Sequence, residues 1–406
     1  MWVKLRRWAV LVLVNVLVLA GALALLEAGV RVAMLKSLHF PGMRDPRSLV
    51  IGHPQRGWTP APNQNVLIQR FDFAAYYETN SKGLRDHEHD YAKDDGVFRI
   101  VLLGDSYLAA RQVDFRAALP ALLEEALEPR GVEVINLAVT GYSTTQEWLY
   151  YDEEGVRYEP DLVLLGFFAL NDIRNNHRAM ESRIWGRQGF SAWGRPYAEW
   201  SEESGKLSFS YPPFDRVQGH MARKGRQTER RSERRSLLER SLTYALLDHI
   251  CAAAVSHTRV PTYDPNVFFA PFLERFTPEA FGGDPWPLGY YRRVWDEAWS
   301  VTAHLLRTLD ERAQAAGARF AVFTVPSKTE TDPKFQQLVR KQYPALHFDF
   351  DKTQLLLDAL GEECGFPVLD LRPAFIEAED VGALFFRLED RHWSAAGHRC
   401  ATDALC

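Results

Sequence analysis

The chain has 406 residues, of which 46% are hydrophobic and 25% charged, a composition typical of an ordinary globular protein. This length allows two domains, or one α/β domain with insertions and an appended segment. Lysine and arginine number 48 and aspartate and glutamate 53, so the formal net charge is −5. A negative balance argues against nucleic acid as a partner, and we predict none.

The N-terminus has the pattern of a membrane anchor. Residues 4–7 carry three cations and precede an apolar run, Trp8–Leu26, that is interrupted by Asn15. A helix of this length spans roughly 30 Å of hydrocarbon, and the cationic end should stay in the cytoplasm. We therefore predict a cytoplasmic stub and transmembrane signal-anchor at 1–35, with membrane contact along 8–30. The rest of the chain would lie outside the cytoplasm, in the periplasm or at the cell exterior.

A cleaved signal peptide is the alternative interpretation of this segment. The apolar run is longer than the roughly 7–15 residues of a typical signal-peptide core, which favours a retained anchor. Residues 36–95 follow and are rich in proline, glycine and aromatic residues. We interpret them as a juxtamembrane segment of irregular structure with a hairpin in Val66–Tyr77, closed by Asn80–Asp86.

The four cysteines do not form a recognisable metal or disulfide framework. Cys251, Cys364, Cys400 and Cys406 include no Cys/His spacing typical of a zinc site. We interpret them as small buried residues, and their disulfide state stays open. The sequence predicts neither a metal nor a cofactor.

From Phe98 to the C-terminus, strand and helix patterns alternate. The predicted strands are Phe98–Leu103, Val132–Leu137, Leu162–Phe168, Arg319–Pro326 and Phe366–Asp370. The predicted helices are Phe115–Leu127, Gln146–Tyr151, Trp295–Ala316 and a closing helix, Ala395–Leu405. Such alternation predicts an α/β fold with a parallel sheet and right-handed crossovers. We assign residues 96–406 to one domain with an insertion at about 173–290.

A strongly basic segment lies within the insertion. Arginine and lysine dominate Arg216–Arg240, which leads into an apolar helix predicted at Leu237–Ile250. A solvated helix face or a surface loop explains such a segment without any function. Contact with anionic lipid headgroups or an acidic polymer is the functional alternative.

A serine follows the first predicted strand directly, in Gly104-Asp105-Ser106. These residue types also favour simple turns, but open parallel sheets bind their ligands at the carboxyl ends of the strands. Two further strands end near Gly141 and Asn171, and His392 precedes the closing helix. Ester cleavage by a serine needs a nucleophile, a base, an acid that orients the base, and donors for the oxyanion.

These residues supply all four groups. Ser106 is the predicted nucleophile, His392 the base, and Asp390 or Glu389 the orienting acid. The predicted oxyanion donors are the backbone N–H groups of Ser106 and Gly141 and the side-chain amide of Asn171. Each residue alone has a structural explanation, as a turn glycine, a helix cap or a buried histidine. Their occurrence together at strand ends favours catalysis.

In these positions the sequence resembles the SGNH (GDSL) hydrolase family. The matching blocks are Leu103–Ser106, Val139–Tyr142, Asn171-Asp172 and Asp390–Trp393, and Asn80–Asp86 resembles a stretch of the bacterial branch that has an N-terminal membrane anchor. The resemblance implies a three-layer α/β/α, flavodoxin-like fold, metal-independent hydrolysis, and catalytic roles at the matched positions. Ala169 stands where the third block usually has glycine. The Asp-x-His-Trp ending also occurs in the family's polysaccharide-acetylating relatives, which favours Asp390 over Glu389.

The resemblance and the predicted location imply a membrane-anchored extracytoplasmic serine esterase. Its expected substrates are O-acyl esters, in particular O-acetyl esters, on cell-envelope glycans. Three alternatives stay open: an O-acyltransferase on an exported polysaccharide, a lipid or lysophospholipid esterase, and a non-catalytic envelope scaffold. The sequence does not define the oligomeric state.

Overall fold

A computed structural model describes residues 2–35, 49–69, 73–233, 264–386 and 390–406. The strands are β1 (Val50–His53), β2 (Gly57–Pro60), β3 (Asn65–Gln69), β4 (Ala74–Glu78), β5 (Phe98–Leu103), β6 (Val132–Asn136), β7 (Leu162–Phe167), β8 (Tyr197–Ser201), β9 (Lys206–Ser210), β10 (Leu273–Arg275), β11 (Arg319–Thr324), β12 (His347–Phe348) and β13 (Val368–Leu369). The helices are α1 (Trp2–Leu35), α2 (Ser106–Ala109), α3 (Leu119–Leu127), α4 (Thr144–Glu153), α5 (Ala169–Asp172), α6 (Arg178–Trp185), α7 (Phe190–Trp193), α8 (Phe214–Glu233), α9 (Pro265–Phe268), α10 (Leu288–Ala315), α11 (Lys328–Thr331), α12 (Pro333–Gln342), α13 (Lys352–Cys364), α14 (Arg372–Ile376) and α15 (Ala395–Leu405).

Five parallel strands form the central sheet, in the order β13-β11-β7-β5-β6. This confirms the predicted α/β fold with a parallel sheet. The inner strands β5 and β7 are almost entirely buried, as expected where both faces of a parallel sheet are covered. Because β6 lies on one side of β5 and β7 on the other, the strand order reverses at β5. A ligand crevice opens at such a switch point, outside the carboxyl ends of the strands.

Helices cover both faces of this sheet. α3 packs against β6 and the closing helix α15, whereas α4 packs against the long helix α10. Crossovers of the usual right hand from β5 to β6 and from β6 to β7 put α3 and α4 on opposite faces. α10 buries one side along its length, including Leu305, Leu306 and Leu309.

Some elements differ from the prediction. The helix expected from Phe115 begins at Leu119, because Ala118 has an extended backbone and Pro120 occupies the first turn. The predicted hairpin in Val66–Tyr77 is confirmed as the antiparallel pair β3 and β4. The insertion contains a further hairpin, β8 and β9, that the sequence pattern did not predict.

Several predicted features fall wholly or partly outside the described residues, among them the basic segment Arg216–Arg240 beyond residue 233. The apolar helix expected at Leu237–Ile250 lies there, as does Cys251. In the described part of the chain, Cys364, Cys400 and Cys406 are free thiols.

The N-terminal segment forms one helix of 34 residues, α1. Large apolar side chains on it are exposed, for example Leu17 at 63% and Leu25 at 75%. Among the residues that the structure describes, no helix has the combination of length and apolarity expected of a membrane crossing. The structure therefore gives the predicted transmembrane helix no support.

Candidate active site

Ser106 begins a short helix at the carboxyl end of β5. Asp105 caps this helix, because its Oδ1 accepts a hydrogen bond of 2.9 Å from the backbone N–H of Tyr107. Position 104 favours glycine because the side chain of Leu108 packs closely against it. A Cβ at this position would lie 2.4 Å from Cδ1 of Leu108. This strand-turn-helix connection fixes Ser106 with 7% of its surface exposed.

The structure brings Ser106, His392 and Asp390 into direct contact. Nε2 of His392 lies 2.7 Å from Oγ of Ser106, and its Nδ1 lies 2.6 Å from Oδ1 of Asp390. The backbone N–H of His392 donates to the same Oδ1, at 2.9 Å. With Nδ1–H donating to the carboxylate, Nε2 presents its lone pair to the serine hydroxyl. Glu389, the alternative acid, lies outside the described residues.

The loop that carries His392 is anchored on both sides. Trp393 is fully buried, and its Nε1–H donates to the carbonyl oxygen of Pro326 at 2.8 Å. The backbone N–H of Phe386 donates to the carbonyl oxygen of His392 at 3.0 Å. The ring of Tyr107 packs against the imidazole, with centroids 4.6 Å apart. These contacts hold the imidazole over Ser106.

The carboxylate of Asp390 is held in its ionised form. Burial raises the pKa of Asp390, but the hydrogen bonds and charge of His392, with a further hydrogen bond from Gln112, hold it well below its usual range. Nε2 of Gln112 lies 3.0 Å from Oδ2 of Asp390, across 278 positions of sequence. Gln112 was not predicted as part of the site, because no local sequence pattern distinguishes it from a surface glutamine.

Gly141 lies in the loop after β6, beside the end of β5. The backbone N–H of Val139 donates to the carbonyl oxygen of Gly104 at 3.0 Å, which ties these two strand ends together. Nε1–H of Trp58 donates to the carbonyl oxygen of Thr140 at 3.1 Å. Because C=O and N–H point in opposite directions across a trans peptide, this bond directs the Gly141 N–H away from Trp58. Gly141 has φ +79°, a conformation that favours glycine.

Asn171 lies in the short helix α5 after β7 and faces the Ser106 turn. Its Nδ2 donates to Oδ2 of Asp105 at 2.5 Å. An amide nitrogen carries two N–H bonds, so this contact orients Asn171 and leaves its second N–H as a donor. Ala169, which replaces the family's glycine, lies in α5 without a positive φ. Its methyl group is therefore compatible with the local backbone.

Three carboxyl groups, of Asp105, Asp172 and Glu147, are buried behind these loops. Burial raises the pKa of Asp105 to about 6. Burial and the neighbouring carboxylates raise the pKa of Glu147 and of Asp172 well above their ordinary values. Burial and the proximity of like charges therefore disfavour full ionisation of this cluster. Glu147 was not predicted, since a glutamate in an isolated helix sequence gives no sign of burial.

A cleft of about 300 Å³ opens beside Gly141. Aromatic and apolar side chains share its lining with cationic ones. The lining includes Trp58, Phe190, Met221, Arg111, Arg195 and His220. Gly141, one of the predicted oxyanion donors, is part of the lining of this cleft.

The C-terminal part of the chain matches a known family. Residues 291–406 match the family model described as "SGNH hydrolase-like domain, acetyltransferase AlgX". The matched segment contains His392 and Asp390, whereas Ser106, Gly141 and Asn171 precede it. A comparison with curated proteins gives no significant match.

The chain is also similar to solved structures of esterases. One is the acetyl xylan esterase AlAXEase, with 11% identity, coverage of 76% of this chain and 98% of that chain, and a TM-score of 0.37. Another is a catalytic mutant of Axe2, an acetylxylan esterase from Geobacillus stearothermophilus, with 11% identity, coverage of 77% and 94%, and a TM-score of 0.36. A lipase/acylhydrolase from Enterococcus faecalis has 12% identity, coverage of 76% and 93%, and a TM-score of 0.35.

The family match and the fold lead to the same conclusion. The matched segment supplies a histidine and an aspartate, and the fold joins them to a serine at the carboxyl end of a central parallel strand. Such an arrangement is that of an ester-acting serine hydrolase. Residues 291–406 are thus similar to the SGNH hydrolase family, and the triad geometry agrees with that similarity.

Proposed function

We propose that this protein cleaves O-acetyl esters on glycans with Ser106 as nucleophile, His392 as general base and Asp390 as orienting acid. The observation that carries the proposal is the continuous hydrogen-bond chain from Oγ of Ser106 to the carboxylate, with links of 2.7 and 2.6 Å. Acyl transfer to a serine requires these three groups at such distances.

In the first half-reaction, Oγ of Ser106 attacks the ester carbonyl carbon while Nε2 of His392 takes the hydroxyl proton. Asp390 stabilises the imidazolium that forms. The N–H groups of Ser106 and Gly141 and the amide of Asn171 donate hydrogen bonds to the oxyanion. The intermediate then collapses, the sugar alcohol leaves with the proton from His392, and the acetyl group stays on Ser106.

In the second half-reaction, water attacks the acetyl carbon while Nε2 of His392 takes a proton from it. The tetrahedral intermediate expels Oγ of Ser106, which regains the proton, and acetate leaves.

Trp58 and Asp105 act as positioning residues in both half-reactions, because they orient the Gly141 peptide and the Asn171 amide.

The cleft beside Gly141 supports a glycan as the substrate. Trp58 and Phe190 contribute aromatic rings to this lining, and Arg111 contributes a guanidinium group. Apolar walls with a few directed polar groups are typical of sites that orient a small polar molecule. Such a lining suits a sugar ring better than it suits a long acyl chain.

A second candidate is transfer of the acetyl group to another glycan hydroxyl. The match of residues 291–406 to a family model described by an acetyltransferase favours it. The two functions share the acetyl-Ser106 step, and they differ only in whether water or a sugar hydroxyl attacks that intermediate.

An extracytoplasmic location with an anchor along residues 8–30 also belongs to this proposal. It is supported by the cationic residues that precede the apolar run Trp8–Leu26. A fusion of alkaline phosphatase after the full chain in a bacterial host tests it. Phosphatase activity in the membrane fraction would support the location, and an inactive fusion of normal abundance would refute it.

Fluorophosphonate labelling of the full chain tests the nucleophile. We expect labelling of the wild type, its loss in Ser106→Ala, and its retention in Ser204→Ala, which changes an exposed serine in the β8–β9 turn. An unlabelled wild type, or a labelled Ser106→Ala, would refute the assigned chemistry.

Acetate release then separates the two candidate functions. The wild-type enzyme, not treated with the fluorophosphonate, is incubated with an acetylated glycan, with and without an unacetylated oligosaccharide as acceptor. Release of acetate that the acceptor does not reduce identifies an esterase. Acetyl groups that appear on the acceptor identify a transferase.

A further inference from the structure

Two histidines and two carboxylates meet beside the edge strand β6, away from the Ser106 triad. They are His87 and His89 from the segment before β5, together with Asp86 and, on α3, Glu124. The ligand atoms of Asp86, His87 and His89 all lie within 4.8 Å of one another. We propose that this group binds a divalent transition-metal ion, with zinc as the favoured ion.

The distances within the group suit a tetrahedral metal ion. Nδ1 of His87 lies 3.0 Å from Oδ1 of Asp86, and Nε2 of His89 lies 3.2 Å from Oδ2. Oε2 of Glu124 lies 3.7 Å from Nδ1 of His87. Nitrogen and oxygen ligands that each lie about 2.0–2.1 Å from zinc in a tetrahedron are about 3.3 Å apart. Small side-chain rotations therefore bring these atoms around one ion.

His89 gives a separate indication of a ligand. Its side chain is 2% exposed, and its Nε2 lies 3.2 Å from Oδ2 of Asp86 without the geometry of a hydrogen bond. A buried ring nitrogen without a directed hydrogen bond costs free energy. A metal ion placed between the two side chains would satisfy both the nitrogen and the carboxylate.

The backbone of this segment is already held in place. The side-chain amide of Asn80 donates to the carbonyl oxygen of His87 at 2.9 Å, and Nζ of Lys82 donates to that of His89 at 2.8 Å. The backbone N–H of Asn136 donates to Oδ2 of Asp86 at 2.8 Å. Hydrogen bonds of this kind orient ligands and raise metal affinity.

Glu124 and Glu88 differ in their surroundings. Oε1 of Glu124 accepts from the backbone N–H of Val134 at 3.1 Å, and this bond leaves Oε2 on the side of His87. Glu88, between the two histidines, instead accepts from the backbone N–H and hydroxyl of Ser81 at 2.6 and 2.9 Å. Glu124 is therefore better placed than Glu88 to supply a fourth ligand.

Metal binding to the untagged full chain tests the proposal. The protein is stripped with a chelator, dialysed, and titrated with Co²⁺ and Zn²⁺ while bound metal and the visible absorption of Co²⁺ are recorded. We expect one ion per chain with the strong absorption of tetrahedral cobalt, and a higher melting temperature with metal. No uptake of either ion would overturn the proposal.

Two variants and a matched control locate the ion. His87→Ala and Glu124→Gln change partly exposed groups, and each should weaken Co²⁺ binding at least about tenfold. His347→Ala removes an exposed histidine that pairs with Arg275, and it should bind Co²⁺ as the wild type does. Unchanged affinity in both His87→Ala and Glu124→Gln, or an equal loss in His347→Ala, would refute this site.

Discussion

Gln112 and Asp390 are joined by a hydrogen bond of 3.0 Å between Nε2 of the amide and Oδ2 of the carboxylate. Gln112 is 2% exposed and lies in a loop that the buried Arg85 holds. The guanidinium of Arg85 donates to the carbonyl oxygens of Ala109 and Val113, both at 2.6 Å. The Asn80–Asp86 stretch therefore supports the triad indirectly, through the loop that orients Asp390.

The substitution Gln112→Met keeps the size of this side chain and removes the donor. A hydrogen bond to a charged group contributes about 1.5–3 kcal/mol, so kcat/KM should fall about 10-fold to 100-fold. The labelling rate of Ser106 should fall in parallel. Gln314→Met removes a similar hydrogen bond, to Asp310 on the distant helix α10, and should leave kcat/KM unchanged. Equal kcat/KM in both variants would contradict a positioning function for Gln112.

The substitution Asp390→Asn should nearly abolish activity. An amide in place of the carboxylate favours the wrong tautomer of His392 and removes the charge that stabilises its imidazolium, an effect of about 10⁴-fold on kcat in such triads. Steady-state hydrolysis of an acetyl ester measures it. Asp403→Asn, an exposed position on α15, is the control. If Asp390→Asn retains more than about a tenth of the activity, another carboxylate orients His392.

The substitution Gly141→Ala tests the oxyanion donor. The backbone at Gly141 has φ +79°, and alanine in this conformation is strained by roughly 1–2 kcal/mol. Relief of that strain rotates the peptide and turns the N–H of residue 141 away from the oxyanion. We expect kcat to fall at least about tenfold. Gly96→Ala has a similar φ of +84° and open space around the added methyl group. It should lower the melting temperature to a comparable degree and leave kcat unchanged; a loss of kcat in both variants would point to strain alone.

The substitution Glu147→Gln should change how stability depends on pH. The pKa of Glu147 in the folded protein is raised by burial and by Asp172 above its ordinary value of 4.5. The folded state therefore binds the proton more tightly than the unfolded state does, and wild-type stability falls as pH rises from about 4.5 through the folded pKa.

Glutamine carries no such proton, so the variant should become more stable relative to the wild type as the pH rises above the ordinary glutamate pKa of 4.5. The slope should be at most about 1.4 kcal/mol per pH unit. Urea unfolding at several pH values measures it, with the exposed Glu125→Gln as control. A stability difference that stays constant with pH would show that Glu147 is ionised in the folded protein.

The sequence by itself predicts the α/β fold class, and it predicts Ser106 and His392 for the triad, with Asp390 or Glu389 as the acid. Apolar runs such as Phe98–Leu103 and Leu162–Phe167 are long and bounded by turn residues, so local pattern is enough to identify them as buried strands. The carboxyl ends of parallel strands share one edge, so the sequence predicts that Ser106 and Asn171 lie close together. The helix start at Leu119 and the β8–β9 hairpin were missed, because helix boundaries and exposed strands depend on weak local signals.

Only the tertiary structure decided which groups support these residues. Gln112, Trp58 and Glu147 have ordinary neighbours in sequence, and their contacts with Asp390, the Gly141 peptide and Asp172 exist only after distant segments pack. The cluster of His87 and His89 with Glu124 likewise needs α3 to pack beside β6. The pattern of residues along the sequence predicts burial and backbone conformation only within a stretch of a few residues. Hydrogen bonds and charges act over a few ångströms in space, so the partner of a side chain is set by the fold.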